Sequence, residues 1–231
     1  FETSHLTAPR LLGSLLYFLQ SYGQSYSNWS KLQTLWWIVV TLLGLEIVSR
    51  SVFVIGKLSA RRISNRGKHL DKLETTDIFF ISVNKLSTIF FSYQWLRLMR
   101  QKSYFIWKLN ELNFLNSFVA CVSMFIFYDL FYTVFHRSLH HRSVYKFVHK
   151  HHHRQKAPSR GNNDAVNVHP LEFLIGEYNH IFCMILVGNF VTHIHFISAI
   201  VFVVFGGFLA SLNHTRFDLR IGSIYQVRFH D

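Results

Sequence analysis

The sequence predicts an all-α membrane protein, a bundle of four or five transmembrane helices capped on one side by a histidine-rich segment. Three observations predict it. Half of the 231 residues are hydrophobic and only 16% are charged. Several apolar runs reach the length of about 20 residues that a helix needs to cross a bilayer. Fifteen histidines recur at offsets of three and four, and most lie beside the ends of those runs.

The composition is more apolar than a soluble domain of this size requires. It includes 24 Phe, and with three Pro and eleven Gly the long helices meet few breakers. The two cysteines, Cys121 and Cys183, sit inside apolar runs and exclude a disulfide framework. A formal charge of +12 would point a soluble protein toward nucleic acid. Here the basic residues flank apolar runs, and no basic stripe with interleaved aromatics lies in a polar region. No nucleic-acid partner is expected. The first residue is Phe1 and the last, Asp231, falls inside a motif described below. The chain is therefore expected to be a fragment or a trimmed product.

Residues 10–19 are too short to span and predict an interfacial helix; no small-residue cleavage site follows them, as a signal peptide would need. Residues 35–55 predict the first span despite Glu46 and Arg50. Residues 78–98 predict a weaker second span, interrupted by Asn84 and Lys85. Residues 112–135 predict a third, with Asp129 its single charge. Residues 173–190 and 196–212 predict a helical hairpin whose tight turn holds His193 and His195. Five spans put 57–76, 136–170 and 213–231 on one side with sixteen Lys and Arg, against six in 1–31 and 97–111. The excess places the first group in the cytoplasm. The expected organisation is 1–111, an interfacial segment with two spans, and 112–231, a second unit carrying the histidines.

Residues three and four apart share one face of a helix. His136 and His140 are so spaced, as are His149, His152 and His153. His214 precedes Asp218 by four, and His230 opens a last group. All of these groups fall on the cytoplasmic side of the predicted topology. Neutral imidazole suits iron, zinc and copper. One zinc takes about four ligands, so seven histidines with a carboxylate suit two ions, and the cap is predicted to be a cytoplasmic di-metal domain. The bland alternative is a histidine-rich loop that binds metal loosely.

These residues carry a resemblance. Residues 129–141, Asp-Leu-Phe-Tyr-Thr-Val-Phe-His-Arg-Ser-Leu-His-His, resemble the first histidine box of the fatty acid hydroxylase/sterol desaturase superfamily. Residues 148–153, Val-His-Lys-His-His-His, resemble its second box, and 168–172, Val-His-Pro-Leu-Glu, the short motif that follows. Residues 213–219 resemble the segment after the last span. Residues 229–231, Phe-His-Asp, resemble the opening of a final His-x-x-His-His box, so further histidines are expected past Asp231. The resemblance covers about residues 112–231; residues 1–111 match only in being spans.

The resemblance implies an endoplasmic-reticulum membrane enzyme with a fatty acid hydroxylase-like catalytic domain. It would use two iron ions, O2 and electrons from cytochrome b5 or a similar donor protein to hydroxylate or desaturate a sterol or fatty acyl lipid. The implied metal ligands are His136, His140, His149, His152, His153, His214 and His230. Asp218 departs from hydroxylases that place a further histidine there. It is left open between a carboxylate ligand, an acceptor behind the ligands and a helix-end residue. Asp129 and Glu172 are candidates to orient ligand histidines through their second ring N–H. His169 is either such a group or the helix-entry residue before Pro170. His141 falls between the ligand positions.

Charges inside a membrane usually have a partner or a function. Lys85, Asp129 and Glu177 each fall roughly 10–12 Å below the cytoplasmic surface at about 1.5 Å per residue. This predicts a buried polar layer in which Lys85 pairs with Asp129 or Glu177, with His180 beside Glu177. Two other classes remain open at this stage: a non-catalytic lipid-binding or scaffold relative, and a metal transporter.

Overall fold

The structure, a computed structural model, describes residues 30–59, 61–62, 72–154, 160–215, 217–218, 220–221 and 225–226. The expected interfacial helix at 10–19 and His230 lie outside the described residues. Five long helices form a bundle: α1 Lys31–Ser59, α2 Thr75–Gln101, α3 Phe114–Leu139, α4 Pro170–Phe190 and α5 Phe196–Asn213. Among the described residues, four stretches are long and apolar enough to cross a membrane: Lys31–Ile55, Phe114–Leu139, Pro170–Phe190 and Phe196–Asn213. The weaker span expected at 78–98 is an unbroken helix, α2, of 27 residues. It carries Asp77, Asn84, Lys85, Arg97 and Arg100 and falls short of the others in apolar character.

Side-chain caps explain where the helices begin. Asn113 Oδ1 accepts the Asn116 amide ahead of α3 at 3.0 Å. His169 Nδ1 accepts the Leu171 amide at 3.2 Å, with Pro170 in the first turn of α4. His195 Nδ1 accepts the Ile197 amide at 3.3 Å at the start of α5. Asp77 Oδ2 accepts the Glu74 amide at 2.7 Å at the start of α2.

α4 lies at the centre, packed on α2 and α3, while α5 packs on α1 and α3. Lipid tails are as apolar as leucine, so helices associate through close approach and polar contacts rather than through exclusion of water. The Tyr128 hydroxyl donates to the Gly176 carbonyl at 3.3 Å, and the Asn179 amide donates to the Tyr128 carbonyl at 3.1 Å. The Ser211 hydroxyl donates to that of Ser49 at 3.1 Å, joining α5 to α1. On α3, Phe118, Val122, Ile126, Leu130 and Val134 form an exposed stripe at a spacing of four. Such a stripe is what lipid contact asks of a spanning helix.

The end of the bundle away from the histidines is closed by the segment between α2 and α3. Phe105–Ile106 pairs in parallel with Ile194–His195. Asn116 Nδ2 donates to the His193 carbonyl at 2.9 Å, and His195 Nε2 donates to that of Lys108 at 3.3 Å. His193 and His195 are thus committed to the far turn. At the other end Arg61 pairs with Asp218, joining the segments that leave α1 and α5.

The expected polar layer needs correction. Lys85 is exposed and donates to Asn163 Oδ1 at 2.8 Å, and it forms no ion pair with Asp129 or Glu177. The reason is rotation: each helical step turns by about 100°, and it is Asn84, fully buried, that faces inward, onto the 166–168 segment ahead of α4. Glu177 accepts instead from the Ser87 hydroxyl at 3.1 Å, one turn further along α2. His180 Nδ1 donates to the Glu177 carbonyl of its own helix at 3.1 Å, and its ring packs between Tyr128 and Phe202.

Candidate metal centre

The last turn of α3 carries His136, and His140, the residue that caps its C-terminus, follows four residues on. Beyond it the chain reverses. His141 caps a short helical turn, Arg142–Val144, by accepting the Ser143 amide. A π-helical turn, Tyr145–His149, follows, and a 3₁₀ turn covers His152–Arg154. The second histidine group is therefore not one continuous α-helix, as its offsets suggest. The π turn adds a residue to the helical repeat, a device frequent at functional sites. It carries His149 fully inside the protein.

One ring nitrogen from each of His136, His140, His149 and His153 lies within 4.8 Å of the other three. His149 Nε2 is 3.2 Å from His140 Nε2 and 3.0 Å from His153 Nε2. Behind His149, its Nδ1 lies 3.0 Å from Glu172 Oε1, and both side chains are buried. A carboxylate can only accept, so this contact puts the His149 proton on Nδ1 and leaves a lone pair on Nε2. Two further imidazole nitrogens, of His140 and His153, then crowd around that lone pair, and the fourth ring, His136, has a buried Nδ1 with no hydrogen-bond partner. A cation satisfies such a convergence, and an all-imidazole set suits a first-row transition metal. The residues fit a metal ion.

His152 borders the cluster, its ring centroid 5.5 Å from His149 and 5.6 Å from His214. His214 Nδ1 donates to the Ala210 carbonyl at 2.7 Å, which fixes Nε2 as the acceptor nitrogen. His214 is also held from behind: the Gly161 amide donates to its carbonyl at 3.0 Å. Gly161 has φ 57°, a conformation that favours glycine.

Other expected site residues lie elsewhere. His141 is exposed and bonds Ser143. His169 serves as the cap of α4, its ring edge-on to Phe80. Asp129 is exposed beside the lipid-facing stripe, and among the described residues no hydrogen bond or ion pair joins it to a histidine. The reason is axial: the seven residues between it and His136 keep the two on one face but set Asp129 about two turns, roughly 10 Å, along the helix, while Glu172 arrives on another helix. Asp218 is fixed by its backbone pairing with Arg61, and its side chain lies outside the described set.

Sequence reasoning missed a buried network beside the cluster. Asp77 Oδ1 accepts from Asn167 Nδ2 at 3.0 Å and lies 3.1 Å from His151 Nε2. Arg154 reaches Glu74 at 3.0 Å and Asp77 at 3.6 Å. Burial alone would raise the Asp77 carboxyl. The hydrogen bonds from Asn167 and the Glu74 amide, with the charges of Arg154 and His151, outweigh it and hold Asp77 below its usual value. The available signal was Asp77 and Asn84, seven residues apart and so on one face of α2.

Residues 121–231 match the fatty acid hydroxylase family. The matched segment begins within α3 and takes in every histidine of the cluster. No curated protein and no solved structure matches the chain. A metal-dependent, oxidoreductase-type site at one end of a membrane bundle is thus supported twice over, by the fatty acid hydroxylase match and by the four converging imidazoles.

Proposed function

We propose that this protein is an O2-dependent lipid oxidase with a histidine-held di-iron site, hydroxylating a sterol or fatty acyl chain, with desaturation as the second reading. The observation that carries the proposal is the convergence of His136, His140, His149 and His153, backed by Glu172, at the end of an apolar bundle. These four would hold one iron; His152, His214 and His230 would serve the other. Iron with O2 supplies the oxidising power for an unactivated C–H bond, which side chains lack. In hydroxylation one oxygen atom enters the C–H bond. The other leaves as water with two protons and an electron pair from a cytochrome b5-like donor protein.

The chain's own residues have three tasks. Glu172 keeps the His149 proton on Nδ1, so that Nε2 points inward as a ligand. The Ala210 carbonyl does the same for His214. The buried flank of His149, with Tyr132 stacked on His136 and Tyr145 on His140, limits water around the ligands and protects a reactive site from side reactions. An apolar substrate reaches this end of the bundle from the bilayer. We place the protein in the endoplasmic reticulum with the site facing the cytoplasm, and divide it at about residue 111.

Elemental analysis and product analysis of the full-length protein in detergent test the proposal. The expected result is two irons per chain, lost on His149→Ala, with an added oxygen in the lipid product. Loss of two hydrogens instead would select desaturation. One zinc, or no stoichiometric metal, would sink the oxidase reading in favour of a scaffold or transporter.

A further inference from the structure

The second histidine group sits on little regular structure. His152 and His153 lie in a single 3₁₀ turn, His152–Arg154, and so short a turn fixes side-chain directions poorly. The residues on either side are anchored, however, and to the same group. His151, just before the pair, points Nε2 at Asp77 Oδ1 (3.1 Å) and at Asn167 Oδ1 (3.0 Å). Arg154, just after it, reaches Glu74 and Asp77. Asp77 is itself 5% exposed and receives Asn167 Nδ2 and the Glu74 amide.

The same face of α2 continues the grip. Phe80 lies edge-on to His151 at 4.7 Å. Asn84 donates to the carbonyls of Val166 and Val168, at 2.8 and 2.9 Å, on either side of Asn167. α2 lies wholly outside the segment that matches the family.

We propose that Asp77 is a positioning residue for the metal centre, holding His151 and Arg154 so that His152 and His153 between them face His149 and His214. The inference rests on the metal-centre reading above. It assigns α2 a task beyond spanning or packing: it supplies the buried carboxylate against which the second histidine group is set.

The test is cobalt(II) binding to the full-length protein in detergent, followed by chelator competition and by the visible ligand-field bands. Asp77→Asn keeps an acceptor for the Glu74 amide but removes the charge. Its cobalt affinity is expected to fall about tenfold, near the lower end for groups that orient ligands. The bands are expected to shift while helical content stays unchanged. A purely structural role would lower thermal stability and leave the affinity and bands of the folded protein as in the wild type, and that result overturns the proposal. If Asp77→Asn does not fold, Asn167→Ala takes its place: a several-fold loss of affinity supports the proposal and an unchanged affinity overturns it. His149→Ala is titrated alongside. Cobalt binding lost in His149→Ala but intact in Asp77→Asn defeats this inference alone. Binding intact in His149→Ala defeats the metal-centre reading and this inference with it.

Discussion

His149 Nδ1 lies 3.0 Å from Glu172 Oε1, and this contact decides which nitrogen of His149 faces the other histidines. Glu172 stands in the first turn of α4 and His149 at the end of a π turn, 23 residues earlier. The pair therefore ties the histidine segment to the central helix of the bundle.

Replacing Glu172 with Ala should release the His149 tautomer and leave its Nδ1–H buried without an acceptor. Metal affinity is expected to fall about 10–100-fold, read by chelator competition. Glu172→Gln keeps an acceptor oxygen and should lose less. Equal affinities for wild type and Glu172→Ala would show that the contact does not orient the ring.

A methyl group at Gly188 would lie 2.3–2.7 Å from the Tyr104 ring, which is 7% exposed and has little room to move. Gly188→Ala should cost about 1–3 kcal/mol of stability, seen as a lower thermal midpoint in detergent. The same change at Gly206 meets His180 Nε2 at 2.6 Å. It should displace a ring packed against Tyr128, Phe91 and Phe202. Metal content should survive the Gly188 change, because the strain falls at the far end of the bundle.

Asn84→Ala removes the donor to two carbonyls, Val166 and Val168. Leaving a buried polar group unpaired costs about 1–3 kcal/mol, and the cavity left by the side chain adds to it. Destabilisation should exceed that of Lys85→Ala, whose side chain is exposed. Comparable midpoints for the two variants would mean that α2 is not held to the 166–168 segment as described.

Asp77 sets a pH dependence. Its folded carboxyl is held below the usual value, and an unfolded aspartate titrates at about 3.9. Its contribution to stability is therefore complete above about pH 4 and is lost as pH falls through the lower folded value. Scanned from about pH 6 to about pH 2, the thermal midpoint of metal-free Asp77→Asn should fall less on the acid side than that of the metal-free wild type. Parallel curves would remove Asp77 from the acid response.

The bundle and the grouping of its histidines were legible in the chain because both rest on local periodicity. An apolar run of bilayer length makes a helix whatever lies beside it. His136 with His140, and His149 with His153, face together because offsets of four do so on a helix or a tight turn. The order of the spans also brings the groups to one end, since the end of α3 and the start of α4 must lie on the same side. The polar layer was misread for a related reason. Intramembrane depth can be counted along a sequence, but the azimuth of α2 cannot. A single residue of rotation exchanges Lys85 for Asn84.

By itself the sequence determined the helices, their approximate lengths and the end of the bundle where the histidines gather. Each of these follows from residues near one another along the chain. Only the tertiary structure decided that Glu172 backs His149, that Gly161 holds the backbone of His214, and that Asp77 and Asn167 brace His151. These contacts join positions tens of residues apart. Their partners are selected by how helices rotate and pack, a global balance of close approach and hydrogen-bond satisfaction that no local spacing encodes.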